Sequence, residues 1–327
     1  MFCDIDLEAR GRQIGSLHLV HSDDRHAFGH VPVPVAVLSG APGPTVLLVA
    51  GTHGDEYEGQ AILLGLIHAL EPATLNGRVV VLPGLNRAAI AASRRVSPLD
   101  GVNLNRAFLD GAPSGPTRAI AAFVETLLPS CALVADIHSG GSAAVYADAV
   151  LATRTEDRAL FAANVAAARA TRLPFIQLLV ETSSSTSLNS ASAAAGVPMV
   201  AMELGGGGKT ARLSHTRGRD AVLALLIHAG VLVGDLPAAK QRVVAIRRPH
   251  GAVVAPSDGV VEPLVMPGDD VAEGGGVAVL HHWREPHRPP LMLRAAVAGV
   301  VLAVAARGRL EPGDHAALIA EDAEDLL

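Results

Sequence analysis

Along the first two thirds of the chain, unbroken apolar runs alternate with segments whose apolar residues recur at helical spacing. The runs TVLLVAG from Thr45, GRVVVLPG from Gly77, CALVADIH from Cys131 and VPMVAMEL from Val197 predict strands buried on both faces. Between them QAILLGLIHAL from Gln60, TRAIAAFVETLLP from Thr117, EDRALFAANVAAARAT from Glu156 and RDAVLALLIHAGVL from Arg219 predict helices. Strands alternating with helices imply an α/β domain whose mixed central sheet is flanked by helices.

After about Gly234 the texture changes to short Val-rich pieces separated by Gly, Pro and Asp, as in APSDGVVEPLVMPGDDV. The chain therefore divides into residues 1–234, an α/β unit, and residues 235–327, a smaller all-β unit. The second unit carries an internal repeat: Gly259–Val261 recurs as Gly299–Val301, 40 positions on, and Gly274 recurs as Gly313, 39 positions on. Two similar β-halves look like the barrel-sandwich fold of biotinyl and lipoyl domains. Those carriers present a lysine on the hairpin between the halves. The intervening HHWREPHRPPLML has none, so capping or bordering a site is the expected role.

Composition narrows the function classes. Half of the 327 residues are apolar, 18% are charged, and no run reaches the ~18 to 20 apolar residues of a membrane-spanning helix. The first segment has early acids and no apolar h-region, so a cytoplasmic location is expected by default. A net charge of −6 with six Phe, two Tyr and one Trp offers neither the basic footprint nor the stacking platforms of a nucleic-acid binder. With Cys3 and Cys131 the only cysteines, a disulfide framework is excluded and any metal must use His and carboxylates.

Three polar clusters follow directly on apolar runs, where the loops and helix N-termini of an α/β sheet converge on ligands. In GTHGDEYEG, His53 and Glu56 reach one cation if the loop turns tightly, which Gly51 and Gly54 permit. That pair alone is weak, since His-x-x-Glu recurs by chance. In ADIHSGG, period-two alternation points Asp136 and His138 the same way, so the acid can orient the imidazole through its second nitrogen. His53, Glu56 and His138 then make three ligands with one position left for water, the layout of catalytic zinc. In VAMELGGGG, burial at the end of an apolar strand would raise the Glu203 carboxyl towards neutrality and suit it to a general base; the bland alternative is a cap for the next helix. A fourth stretch, RRVSPLDGVNLNRAF, gathers Arg94, Arg95, Asn103, Asn105 and Arg106 in one polar loop, with the makings of a carboxylate clamp and an oxyanion donor.

Taken in order, GTHGDEYEGQ, SPLDGVNLNRAF, DIHSGG and MELGGGG resemble the succinylglutamate desuccinylase/aspartoacylase family, relatives of the zinc carboxypeptidases, over about residues 40 to 325. The resemblance implies a zinc carboxypeptidase-like fold and one Zn2+ per chain held by His53, Glu56 and His138. It implies Asn105 and Arg106 on the substrate carboxylate, Arg95 rather than Arg94 polarising the scissile carbonyl, and Glu203 as the catalytic glutamate. The reaction implied is removal of a small acyl group, acetyl or succinyl, from an N-acyl amino acid by a metal-activated water. No equivalent of the further arginine that aspartoacylase uses for its substrate's side chain stands out. The phrasing HGDEYEGQ and NLNRAF is similar to the bacterial branch that includes the N-acetyl-diaminobutyrate deacetylases, whose substrate side chain is cationic. Two rivals share parts of this pattern: a zinc carboxypeptidase acting on short peptides, and a non-catalytic metal- or ligand-binding module. No nucleic-acid or membrane partner is expected, and a homo-oligomer is left open.

Overall fold

The computed structural model of the chain describes residues 2–24, 26–112, 114–180, 186–247 and 250–327. It opens with a two-residue strand, β1 (Phe2–Cys3), and a long hairpin, β2 (Gly11–Asp23) with β3 (His26–Ser39). Then follow β4 (Ala41–Ala50), α1 (Glu58–Ala69), β5 (Asn76–Leu82), α2 (Arg87–Ala91) and α3 (Pro116–Leu127). Next come β6 (Leu133–His138), β7 (Ala144–Thr153), α4 (Arg158–Thr171), β8 (Phe175–Leu179), α5 (Leu188–Ala194), β9 (Met199–Gly206) and α6 (Arg212–His228). Each apolar run named above is a strand, and each helical-period segment is a helix. None of the described helices is long and apolar enough to cross a membrane.

The centre of the sheet is parallel, in the order β5-β4-β6-β9, with β3 antiparallel on one flank and β7 antiparallel on the other. Because strand side chains alternate in direction, β4 serves two cores at once. Val46, Leu48 and Ala50 pack with Ile62 and Leu66 of α1 and Val222 and Leu225 of α6, whereas Leu47 and Val49 pack with Ile120 and Val124 of α3 and with Phe108. The mixed, doubly covered sheet expected from the sequence is thus observed. Leu47 has no exposed surface. Truncating such a side chain to Ala costs about 2 to 5 kcal/mol, a large share of a domain's stability.

The hairpin β2–β3 is absent from the pattern of apolar runs. Pro32 and Pro34 lie inside β3, a position that argues against a central strand. They are accommodated because the described pairing of β3 with β5 covers only Ala36–Ser39, so at both prolines β3 has β2 alone as its neighbour.

Beyond Gly234 the chain is built of β10 (Arg242–Ala245), β11 (Ala252–Val254), β12 (Gly259–Pro263), β13 (Asp270–Val271), β14 (Gly276–His281), β15 (Leu291–Arg294), β16 (Gly299–Ala305), β17 (Arg309–Leu310) and β18 (His315–Asp322). The internal repeat is visible in the pairing. β11 to β14 match β15 to β18 in order, and every pairing has its counterpart: β12 with β14 and β16 with β18, β13 with β16 and β17 with β12, β11 with β18 and β15 with β14. The two halves exchange strands across a pseudo-twofold, around a core that includes Val253, Leu280, Leu293 and Ile319. This region is also hydrogen-bonded into the main sheet, because β10 lies parallel to β8 and β16 antiparallel to β7.

Candidate active site

β4, β6 and β9 are parallel neighbours that end side by side, so the loops after Ala50, His138 and Gly206 share one rim. The first loop turns at Gly51, whose φ of +70° suits glycine. Gly54 then passes so close to α2 that a Cβ would lie 2.1 Å from the Ala89 backbone, and its N–H donates to Arg94 O at 2.8 Å. That contact lays the Arg94–Arg95 segment along the loop bearing His53 and Glu56.

His53, Glu56 and His138 are all buried, and one potential ligand atom from each lies within 4.8 Å of the others. His53 Nδ1 is 2.7 Å from Glu56 Oε1, and His138 Nδ1 is 2.7 Å from Glu56 Oε2. The other ring nitrogens face outward to acceptors, His53 Nε2 to Asn103 Oδ1 at 3.1 Å and His138 Nε2 to Asp136 Oδ2 at 2.8 Å. The period-two spacing of Asp136 and His138 predicts this last contact. Thr52 Oγ1 donates to Asp136 Oδ1 at 3.2 Å.

These contacts restrict the protonation states. If His138 donates from Nε2 to Asp136, it keeps a lone pair on Nδ1, and a lone pair 2.7 Å from a Glu56 carboxylate oxygen is repulsive unless a positive charge sits between them. Without a metal, that charge is a proton. Burial pulls the His138 pKa down, but the Asp136 and Glu56 carboxylates outweigh it and hold the ring well above the ordinary imidazole range. Burial likewise opposes ionisation of Glu56, yet the His138 and His53 rings hold its carboxyl far below the usual range. Two imidazole nitrogens and a carboxylate oxygen suit a cation of borderline softness such as zinc.

Arg95 brings Nη1 to 3.3 Å from His53 Nδ1 and 3.5 Å from Glu56 Oε1, while its side chain remains 55% exposed. It faces both the cluster and solvent. Adjacent Arg94 is exposed and touches the site through its backbone carbonyl. Glu203 lies directly opposite His138 in the β6–β9 register, and its Oε2 is buried without a hydrogen-bond partner. Its pKa is pushed up to about 8, first by burial and then by the Glu56 carboxylate, against the pull of His138 and Arg95. The glycines after it have a backbone reason: Gly205, Gly206, Gly207 and Gly208 have φ of +59°, +125°, +78° and +68°.

Asn105 and Arg106 lie on the neighbouring loop, in a 3-10 turn (Leu104–Arg106) whose N-cap is Asn103. Asn105 Oδ1 accepts the Leu188 N–H at 3.0 Å at the start of α5, and Arg106 is exposed. The fold therefore brings His53, Glu56, His138, Glu203 and Arg95 together and leaves Asn105 and Arg106 one turn beyond Asn103. Three residues here have contacts that the sequence does not assign, although Asn103 stands out in it as part of the polar loop. Its contact with His53 is read only once the fold brings the two together. Asp55 Oδ2 accepts from both the N–H and the hydroxyl of Ser142 at 2.8 Å, locking the first loop to the one after His138. Glu58, two residues past Glu56, is wholly buried, with Oε1 accepting the Gly206 N–H at 3.0 Å. An acid that closely follows a ligand acid could have raised the question.

Residues 42–229 match the succinylglutamate desuccinylase/aspartoacylase catalytic domain. Over 326 residues the chain is 34% identical to the N-alpha-acetyl-L-2,4-diaminobutyric acid deacetylase of Halomonas elongata, covering 98% of this chain and 95% of that protein. The product-bound structure of the ectoine utilization protein EutE (DoeB) from Ruegeria pomeroyi matches with a TM-score of 0.94 at 34% identity, over 98% of both chains. A succinylglutamate desuccinylase/aspartoacylase from Rhodobacter sphaeroides matches with a TM-score of 0.92 at 32% identity, over 98% of this chain and 99% of that one.

Proposed function

The chain belongs to the succinylglutamate desuccinylase/aspartoacylase family, and from that premise we propose that it is a zinc-dependent deacylase that hydrolyses the amide bond of N-acyl amino acids. The observation that carries the reading is the pinched cluster: two imidazole Nδ1 atoms, each 2.7 Å from a different oxygen of one carboxylate, with both Nε2 atoms already engaged. His53, Glu56 and His138 would hold one zinc ion per chain. A zinc ion there supplies Lewis acidity, polarising a carbonyl oxygen and making a water easier to deprotonate.

The remaining work falls to the chain's own residues. Glu203 Oε2, free of partners, takes a proton from the attacking water and passes it to the departing amine; a carboxyl pushed up to about 8 is matched to that exchange. Arg95, whose guanidinium reaches the cluster while Arg94 meets the site through its backbone carbonyl, donates to the carbonyl oxygen as it gains negative charge. Asn105 and Arg106 hold the substrate carboxylate from the adjoining loop, which fixes the amide relative to Glu203. Residues 1–234 carry this chemistry. Residues 235–327 form a barrel-sandwich-like cap, a role supported by the seat of β16 on β7 and by the bond from Ala306 N–H to Ala143 O beside the Gly140–Ser142 loop.

The Halomonas elongata relative is named for an Nα-acetylated amino acid with a second amino group. Acetyl as the acyl group and a cationic side chain are therefore the first combination to examine. The test is release of free amine from N-acetyl, N-succinyl and N-formyl amino acids with acidic, neutral and basic side chains, beside short peptides. Turnover of the acylated amino acids supports the reading. Release from peptides alone would replace it with a carboxypeptidase.

A further inference from the structure

The fold buries one carboxylate at the rim to which the proposed mechanism gives no task. Glu58 has no exposed surface and sits in the first turn of α1, whose N-cap, Tyr57, offers no side-chain bond. Two strand ends meet on it. Its Oε1 accepts the Gly206 N–H at 3.0 Å, and the nearby Ser139 side chain favours its charged form against the burial that opposes it, while Oε2 is buried without a hydrogen-bond partner. Ser139 directly follows His138, and its own N–H reaches Glu56 Oε2 at 3.4 Å. Gly206 lies three residues past Glu203, in a run of positive-φ glycines with little stiffness of its own. α1 is itself fixed against β6, because a Cβ on Gly59 would stand 2.5 Å from Ile137 O.

Helix formation alone does not account for a wholly buried acid. A carboxylate favours a helix N-terminus, but burying one is costly and an apolar side chain of similar volume commonly serves as well. The cost is understandable if the oxygen is needed where the strands end. We propose that Glu58 is a positioning residue that holds the Glu203 strand end and the His138 loop in register, through Gly206 and Ser139, so that the base faces the metal ligands. This rests on the deacylase reading above. The device acts through an acceptor at one place in space, so its reach matters more than its charge.

Two variants separate these properties. Glu58→Gln keeps the reach and one acceptor oxygen but removes the charge, whereas Glu58→Asp keeps the charge and shortens the reach. We expect Glu58→Gln to retain kcat within about threefold, and Glu58→Asp to lose at least about tenfold in kcat with KM within about twofold. Zinc affinity, measured by competition with a chelator, should fall in Glu58→Asp by about 10-fold or more, as for other outer partners of ligand residues, and by less in Glu58→Gln. A purely structural role would lower the yield or melting temperature and leave kcat per folded molecule unchanged, which would overturn the proposal. So would Glu58→Gln as impaired as Glu58→Asp. Should Glu58→Asp fail to fold, Ser139→Ala must lower kcat at least threefold for the proposal to stand. A wild-type protein that binds zinc but hydrolyses no N-acyl amino acid would refute the deacylase reading, and the order of zinc affinities, Gln above Asp, would then decide the role of Glu58 on its own.

Discussion

His138 presents Nδ1 to Glu56 Oε2 at 2.7 Å, and the far side of the same ring meets Asp136 at 2.8 Å, so one imidazole is held between two carboxylates. In the metal-free protein this makes stability depend on pH. His138 is held well above its ordinary value of 6.5, so its contribution is complete below about pH 6.5 and is lost as pH climbs through the folded-state value. The Glu203 carboxyl, raised from 4.5 to about 8, acts in the same direction, its contribution being lost between those values. The opposite shift of Glu56 operates below 4.5, outside this window. The melting temperature of chelator-treated protein should therefore fall between about pH 6 and about pH 8. Zinc-loaded protein should fall less, since the ion replaces the proton between His138 and Glu56 and leaves only the Glu203 contribution. A flat metal-free profile would contradict the geometry.

Asp136 reaches the proposed metal only through His138. Asp136→Asn removes the charge from that contact and keeps the shape, so zinc affinity should drop about 10- to 100-fold. Asn103→Ala, which removes a neutral acceptor from His53, should cost less, because charge-assisted bonds are roughly twice as strong. Isothermal titration against a competing chelator reads both. Equal losses would mean that the Asp136 charge has no part in holding the ligand.

Glu203→Gln should leave zinc bound at one ion per chain while kcat falls about 10²- to 10⁴-fold, the range for loss of a general acid-base group. Metal analysis of the purified variant beside its turnover separates the two quantities. Near-normal turnover with zinc bound would remove Glu203 from the mechanism.

Much of this site is legible before any coordinates. TVLLVA, CALVADIH and VPMVAMEL read as buried strands because both their faces are apolar, and the polar residues closing each run then fall on one rim. Asp136 and His138 are legible because a strand's period is two. The contact of Asn103 with His53 and the bond of Glu58 to Gly206 are not, because the partners come from other elements and only tertiary packing unites them. The hairpin β2–β3 hides behind Pro32 and Pro34, which are tolerated only because that stretch of β3 has a single described neighbour. The C-terminal repeat shows in the spacing of Gly259 and Gly299, whereas the strand exchange between its halves is a fact of pairing that spacing does not encode.

The family resemblance favours Arg95 over its neighbour Arg94, and the distances from Arg95 Nη1 to His53 and Glu56 agree. Arg95→Ala should lower kcat by about 10²- to 10³-fold, as loss of an oxyanion donor does, with zinc content unchanged. Arg94→Ala should alter kcat by less than about threefold, because Arg94 contacts the site through its backbone carbonyl, which the substitution keeps. Steady-state kinetics on both variants checks the assignment, and the reverse order would exchange their roles.

The central claim is metal-dependent deacylation of a small N-acyl amino acid, and it is tested most directly by following free amine from Nα-acetyl-2,4-diaminobutyrate with zinc-loaded protein, chelated protein and chelated protein given zinc again. The account predicts turnover with zinc, its loss on chelation, and its return when one equivalent per chain is restored. Undiminished turnover by protein shown to be free of metal would contradict it.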